Sequence, residues 1–146
     1  MLKFDHYHLS ANDTLTVFEF VSEGPKGRID KIVQISKTGI DGVFNLGLAD
    51  KLSSTEIDDT AISNNGDSQK ILATVVATVY AFTKRNPKAW IFATGNTRAR
   101  VRLYRIGLSN NLDEISRDFE IYGLKDGELI SFTKDLDCDA FVARRK

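Results

Sequence analysis

Apolar and polar residues alternate along the first third of the chain, and this period predicts strands. Residues 14–21, 28–35 and 43–48 are predicted as the first three strands. The glycine- and proline-bearing turn at residues 23–27 predicts that the first two form a hairpin. Residues 55–62 are predicted as a fourth strand.

The middle third changes to a helical period. From Ile71 to Phe82 the apolar residues recur at intervals of one, three or four, which predicts a helix that Asn86-Pro87 ends. The short apolar run 89–93 predicts a buried strand. Residues 97–106 predict a second helix, and Gly107 is expected to close it in a left-handed conformation.

The last third returns to strands. Residues 119–122 and 128–132 flank Asp126-Gly127, a strong hairpin signal, and residues 138–143 predict a final strand. The basic tail, residues 144–146, is expected to fray. The order β-β-β-β-α-β-α-β-β predicts one α+β domain over residues 1–146. Its mostly antiparallel sheet would have about six to eight strands and two main covering helices.

Composition narrows the class of protein. The 146 residues are 42% hydrophobic and 27% charged, which is enough for one core without a metal or disulfide staple. Cys138 is the single cysteine, so a disulfide within the chain and a zinc ribbon are excluded. The N-terminus lacks a signal peptide's apolar stretch, and no segment reaches the ~20 apolar residues of a membrane span. We therefore expect a cytoplasmic protein with no membrane partner.

Charge is balanced overall but uneven along the chain. A net charge of zero argues against a wholly basic nucleic-acid binder. Residues 68–112 nevertheless contain no Asp or Glu. Their basic residues are Lys70, Lys84, Arg85, Lys88, Arg98, Arg100, Arg102 and Arg105. Two interpretations follow: a local anion-binding surface, or helices that face acidic strands of the same domain.

The turn at residues 94–97 is the strongest candidate site, because it joins a buried strand to the start of a helix. The first N–H groups of a helix are unpaired and attract anions. Gly95 would let a ligand approach the backbone, and Thr94, Asn96 and Thr97 add side-chain donors.

Three arginines extend this candidate site along one helix face: Arg98, Arg102 and Arg105. Guanidinium groups fit phosphate and carboxylate geometry. The alternative interpretation is that the turn is an ordinary helix cap and the arginines form a solvated face.

Other groups of residues are weaker candidates for a functional site. Residues 64–68 form a second glycine-bearing helix entry, but they lack the spacing of a P-loop or a dinucleotide fold. A turn is predicted there, with Asp67 or Ser68 as the helix cap. His6 and His8 are two imidazoles without a third ligand set by spacing, so no metal site is predicted. Cys138 stands between two aspartates, which raise a thiol pKa and favour a structural role.

Most of the chain resembles a family of short bacterial proteins of unknown function. Residues 65–75 and 93–104 carry the likeness, together with residues 23–27 and 44–47. The resemblance implies a bacterial source and transfers no activity.

A shorter segment is similar to the last signature of the GNAT N-acetyltransferases. Asn96-x-x-Ala99 is followed by Leu103-Tyr104, and the element order matches the second half of that family. The resemblance implies that Asn96 and Tyr104 lie beside acetyl-coenzyme A, with Tyr104 as a general acid. The family's pyrophosphate loop keeps only its first glycine here, at Gly66.

Three functions remain open. The first is a domain without a cofactor that binds a phosphate-bearing or other anionic partner, such as a nucleic acid or a nucleotide. The second is a degenerate GNAT-like acyltransferase that uses acetyl-coenzyme A. The third is a module that binds another protein and no small ligand. The residues do not decide whether the protein is an enzyme.

Overall fold

The computed structural model describes residues 5–53, 56–58, 65–95 and 97–146. Nine strands and three helices lie within them. The strands are β1 Ser10–Ala11, β2 Val17–Gly24, β3 Gly27–Lys37, β4 Val43–Lys51, β5 Ile57–Asp58, β6 Trp90–Ala93, β7 Phe119–Lys125, β8 Glu128–Ser131 and β9 Ala140–Arg145. The helices are α1 Ser68–Arg85, α2 Arg98–Asn110 and α3 Leu112–Asp118.

All nine strands belong to one sheet in the order β1-β2-β3-β4-β6-β9-β7-β8, with β5 added to the end of β4. Every neighbouring pair is antiparallel except β4 and β6, which run parallel. A parallel pair needs a crossover connection, and α1 lies within that connection. The predicted α+β class with a mostly antiparallel sheet is confirmed.

The helices pack on the sheet through two adjoining clusters of apolar side chains. The first joins β2, β3 and β4 to α1, through buried residues such as Val33, Leu48 and Val75. The second joins α2 and α3 to β7 and β9, and it includes Tyr104 and Phe141. The predicted helical period from Ile71 onward is confirmed, because the residues at that spacing face these clusters.

Gly107 does not close α2, so that expectation was wrong. The helix continues to Asn110, and Gly107 is buried within it. A Cβ atom at this position would overlap the side chain of Leu72 on α1. Glycine is therefore needed for the close approach of the two helices rather than for a left-handed turn.

The basic tail is also ordered, contrary to expectation. Strand β9 pairs with β7 as far as Arg145, opposite Phe119. Nε of Arg145 donates to the hydroxyl of Thr83 at 2.8 Å, and Nη2 donates to the carbonyl of Tyr80 at 3.0 Å. Hydrogen bonds to both the sheet and α1 hold this end of the chain.

Two further expectations concern local elements. The hairpin at Asp126-Gly127 is confirmed, since both residues have positive φ, at 51° and 79°, as a tight two-residue turn requires. Of the predicted strand over residues 55–62, the structure shows the two-residue β5, and Glu56 lies just before it outside the strand. Residues 55 and 59–62 lie outside the described residues. Within the part of the chain that the structure describes, no helix is long and apolar enough to cross a membrane.

Candidate functional site

The candidate site is a cleft that opens where the two parallel strands separate. Pairing between β4 and β6 ends at Leu46 and Ala93, whereas β4 continues to Lys51. Among the described residues, the other strand on this edge is β5, which pairs with β4 at Asp50 and Lys51. Gly47, Leu48 and Ala49 therefore line a cleft of about 170 Å³.

Helix α2 supplies the opposite wall of the cleft. Arg100 and Tyr104 line it from one face of the helix, and Thr94 lines it from the preceding turn. Arg100 is only 8% exposed, and its Nη1 donates a hydrogen bond to the carbonyl oxygen of Leu48. A guanidinium group on α2 thus reaches across the cleft to the edge of β4.

Tyr104 lies deeper in the same wall and is 4% exposed. Burial raises the pKa of its hydroxyl, and the neighbouring Arg100 guanidinium partly offsets that rise. The ring meets Phe141 edge to face, with 6.2 Å between the ring centroids. Tyr104 is therefore a neutral side chain that joins the polar cleft to the apolar core.

The turn between β6 and α2 has the cap geometry that its sequence predicts. The hydroxyl of Thr97 accepts a hydrogen bond from the backbone N–H of Arg100 at 3.2 Å. A Cβ atom on Gly95 would lie 2.5 Å from the Cβ of Arg100 and 2.6 Å from the nitrogen of Val101. The close approach that this glycine permits is made by the first turn of α2 itself.

The predicted arginine face is present on α2 but is not uniform. Arg98 and Arg102 are exposed, and neither has a carboxylate within 4.0 Å among the described residues. Arg105 is partly buried, and its Nη1 lies 3.7 Å from a carboxylate oxygen of Asp137. The first two arginines therefore face solvent, whereas the third lies beside the loop that carries Asp137.

The predicted site left out Arg100, which lines the cleft. It shares its helix face with Tyr104 and Gly107, at intervals of four and three residues. This spacing marks the buried face of the helix and could have identified Arg100. The structure brings Thr94, Gly95 and Thr97 together beside it, while Asn96 lies outside the described residues. The binding roles of all these residues stay predictions.

The other glycine-bearing helix entry, at the start of α1, is closed by its own chain. Asn65 is 2% exposed, and its side chain bonds the backbone N–H of Lys26 at 2.7 Å and the carbonyl of Gly27 at 2.9 Å. One carboxylate oxygen of Asp67 accepts from the hydroxyls of Tyr7 at 2.6 Å and Ser22 at 2.5 Å.

Asp67 occupies the N-cap position of α1 without a side-chain cap bond, so the predicted capping role is wrong for this residue. Its carboxylate ties the N-terminal segment and β2 to the helix instead.

The remaining candidates carry no site within the described part of the chain. His6 and His8 are exposed, and no group of three potential metal ligands is found among the described residues. Cys138 is buried, and burial raises its thiol pKa, with Asp137 and Asp139 adding to the rise. This agrees with the predicted direction, and burial is the larger cause.

The fold and the cleft together define a small α+β domain with one sheet, whose polar cleft opens at the carboxyl end of its parallel pair. The chain belongs to the family of unknown function DUF6934, whose model matches residues 3–146. This confirms the resemblance to a family of unknown function. No curated protein and no solved structure matches the chain. The bacterial source and the acetyltransferase likeness stay predictions.

Proposed function

We propose that this domain binds a small anionic ligand in the cleft between β4 and α2. The observation that carries the proposal is the separation of β4 from β6, which opens a polar cleft beside the first turn of a helix. Ligands of open sheets with crossover helices favour this edge, beyond the carboxyl ends of the strands.

The electrostatics of the cleft favour negative charge. Arg100 contributes a buried guanidinium to its wall, and the N-terminal end of the α2 dipole lies at the same place. Arg98 and Arg102 lie on the first turns of that helix and face solvent. They would attract an anion toward the cleft, and a carboxylate or phosphate would meet planar donors inside it.

The test is a titration of the whole chain with sodium phosphate, sodium acetate, a nucleoside monophosphate and short RNA and DNA. Thermal unfolding and calorimetry would be measured at low and moderate salt. A ligand of the cleft should raise the melting temperature by mass action, and the shift should shrink as salt rises. Arg98→Glu and Arg102→Glu should each weaken binding by about three- to tenfold, as surface charges do.

Lys88→Glu is the matched control for these reversals. Lys88 is exposed and precedes β6, so it lies at the edge of the sheet opposite the cleft. Its reversal makes the same change in net charge and should leave binding unchanged. If none of the anions shifts the unfolding curve, or if Lys88→Glu weakens binding as much as the arginine variants do, the proposal fails.

A second candidate function is an acyltransferase that uses acetyl-coenzyme A, and one observation favours it. Tyr104, which the GNAT resemblance assigns to the cofactor, lines the cleft between the parallel strands. Its hydroxyl is protonated at neutral pH, as a general acid requires, because its pKa is raised above the ordinary value of 10.0.

This candidate predicts that coenzyme A stabilises the protein, whereas acetate and phosphate alone do so weakly. Tyr104→Phe should preserve the coenzyme A shift but remove transfer of the acetyl group to amine acceptors. The absence of any shift with coenzyme A at millimolar concentration would eliminate the acyltransferase.

A further inference from the structure

A second space lies in the core directly behind the cleft. It has a volume of about 80 Å³, and its lining surface is entirely apolar. Two small strand residues, Ala93 and Ala143, leave this space open beneath Val76 of α1 and Leu108 of α2. Without polar partners water is not stabilised there, so the space suits an aliphatic group.

The polar cleft and the apolar cavity share two wall residues, Leu46 and Tyr104. On the cleft side these residues adjoin Thr94 and Arg100, whereas on the core side they adjoin Ala93. Leu46 and Tyr104 therefore stand between the two spaces, and a ligand that occupies both must displace one of these side chains. A ligand with a charged head and a short apolar tail matches this sequence of surfaces.

The size of the cavity limits the tail. A cavity of ~150 Å³ holds a benzene ring, so about half that volume holds roughly three carbons. The cleft in front measures about 170 Å³, which leaves room for a planar carboxylate beside the guanidinium of Arg100.

We infer that the ligand is a short aliphatic monocarboxylate, with its carboxylate in the cleft beside Arg100 and Thr94 and its alkyl tail of about three carbons in the cavity behind Tyr104. The inference rests on the proposed anion-binding function and adds the class of ligand.

The experiment is a chain-length series of sodium carboxylates, from acetate through butyrate to octanoate, titrated at constant ionic strength and pH. Burial of each methylene should tighten binding about fourfold. Affinity should rise from acetate to butyrate and then level off, because the cavity is filled. Butyramide, which has the same tail and no charge, should bind at least tenfold more weakly than butyrate, on the order expected for a lost charged hydrogen bond.

Ala143→Val and Val76→Leu both place extra carbon atoms in the cavity. Each should flatten the chain-length series, because it weakens butyrate binding more than acetate binding. Filling a cavity should also hold or raise the melting temperature. If neither variant folds, the wild-type series and the butyramide comparison still decide the matter.

The failures can be told apart. If affinity does not depend on chain length, but acetate and phosphate bind and Arg98→Glu weakens that binding, the inferred alkyl tail is wrong. The proposed anion-binding function is then still supported. If no anion binds at all, the proposed function fails and this inference with it. If butyramide binds as tightly as butyrate, the inference that the ligand is a carboxylate is wrong. If affinity rises all the way to octanoate and Ala143→Val does not change the series, the tail does not bind in the cavity.

Discussion

The two long helices begin after turns of similar sequence, but the polar side chains of the two turns have different roles. Each follows a glycine-bearing turn rich in Asn, Thr, Ser or Asp. Before α1, Asn65 and Asp67 use their polar groups to hold β2 and the N-terminal segment. Before α2, Thr94 lines a cleft, and Arg98 in the first turn of α2 faces solvent.

The difference follows from what each turn is packed against. The α1 entry lies on the β2–β3 hairpin, where a Cβ atom at Gly24 would overlap the carbonyl oxygen of Asn65. The α2 entry lies where β4 and β6 separate, so a cleft lies between it and β4. Turn composition alone therefore does not mark a binding site, and the surrounding strands decide whether polar groups serve folding or a ligand.

The largest expected effect comes from opening the α1 entry with Asn65→Ala. The substitution removes hydrogen bonds to Lys26, Gly27 and Ser22 and leaves two backbone groups without their partner. The free energy of unfolding should fall by about 2–4 kcal/mol, measured by urea denaturation. Asn110→Ala, on the exposed face of α2, is the control and should change stability by less than about 0.5 kcal/mol. A loss under about 1 kcal/mol for Asn65→Ala would show that water replaces the amide.

Tyr7→Phe tests the second contact of the closed entry. The Tyr7 hydroxyl donates to Asp67 at 2.6 Å and accepts from the backbone N–H of Glu23 at 3.0 Å. Removing it at neutral pH should cost about 1–2 kcal/mol, since one partner is charged. Anion binding at the cleft should not change, because the contacts of this hydroxyl with described residues, Glu23 and Asp67, lie at the α1 entry.

The effect of Tyr7→Phe should depend on pH in a defined direction. Burial, followed by the hydrogen bond to Asp67, raises the pKa of Tyr7 above its ordinary value of 10.0. Above pH 10 the unfolded chain releases this proton while the folded chain retains it, so stability falls as pH rises through the folded pKa. The stability difference between wild type and Tyr7→Phe should therefore be constant from neutral pH to about pH 10 and narrow above it. A difference that widens at alkaline pH would contradict this account.

Sequence periodicity predicts the elements well because each helix or sheet face buries its own apolar side chains. The helical spacing from Ile71 onward and the run ending at Ala93 are examples. Contacts between distant residues carry no such local pattern. The carboxylate of Asp67 meets Tyr7, sixty residues earlier, so its predicted role as a cap was wrong.

The cleft was only partly predictable for the same reason. Its turn and the exposed Arg98 follow from local sequence. The separation of β4 from β6 depends on where strands far apart in the chain stop pairing, which no local pattern states. Arg100 could have been predicted as a site residue, since its spacing from Tyr104 places it on the buried helix face.

Thr97→Ala tests how much the side-chain cap at the start of α2 stabilises the protein. The hydroxyl of Thr97 accepts from the N–H of Arg100, whereas α1 has no side-chain cap bond. Loss of the cap should lower the free energy of unfolding by about 1 kcal/mol. Thr97→Ser keeps the cap oxygen and serves as the control, with most of the stability retained. If Ser and Ala at this position are equally destabilising, the methyl group of Thr97 rather than its hydroxyl is responsible.

Thr94→Ala should have the smallest effect on folding and so separates binding from stability. The hydroxyl of Thr94 is exposed, and its contacts with the carbonyls of Gly95 and Asp139 are both 3.5 Å long, which is marginal for a hydrogen bond. Urea denaturation should show a change below about 0.5 kcal/mol, comparable with the exposed control Ser131→Ala on β8. Because Thr94 lines the cleft, the same substitution should weaken anion binding by about two- to fivefold, as expected for one neutral hydrogen bond. A stability loss above about 1 kcal/mol with unchanged binding would instead place Thr94 in the same structural class as Asn65, and the contrast between the two helix entries would disappear.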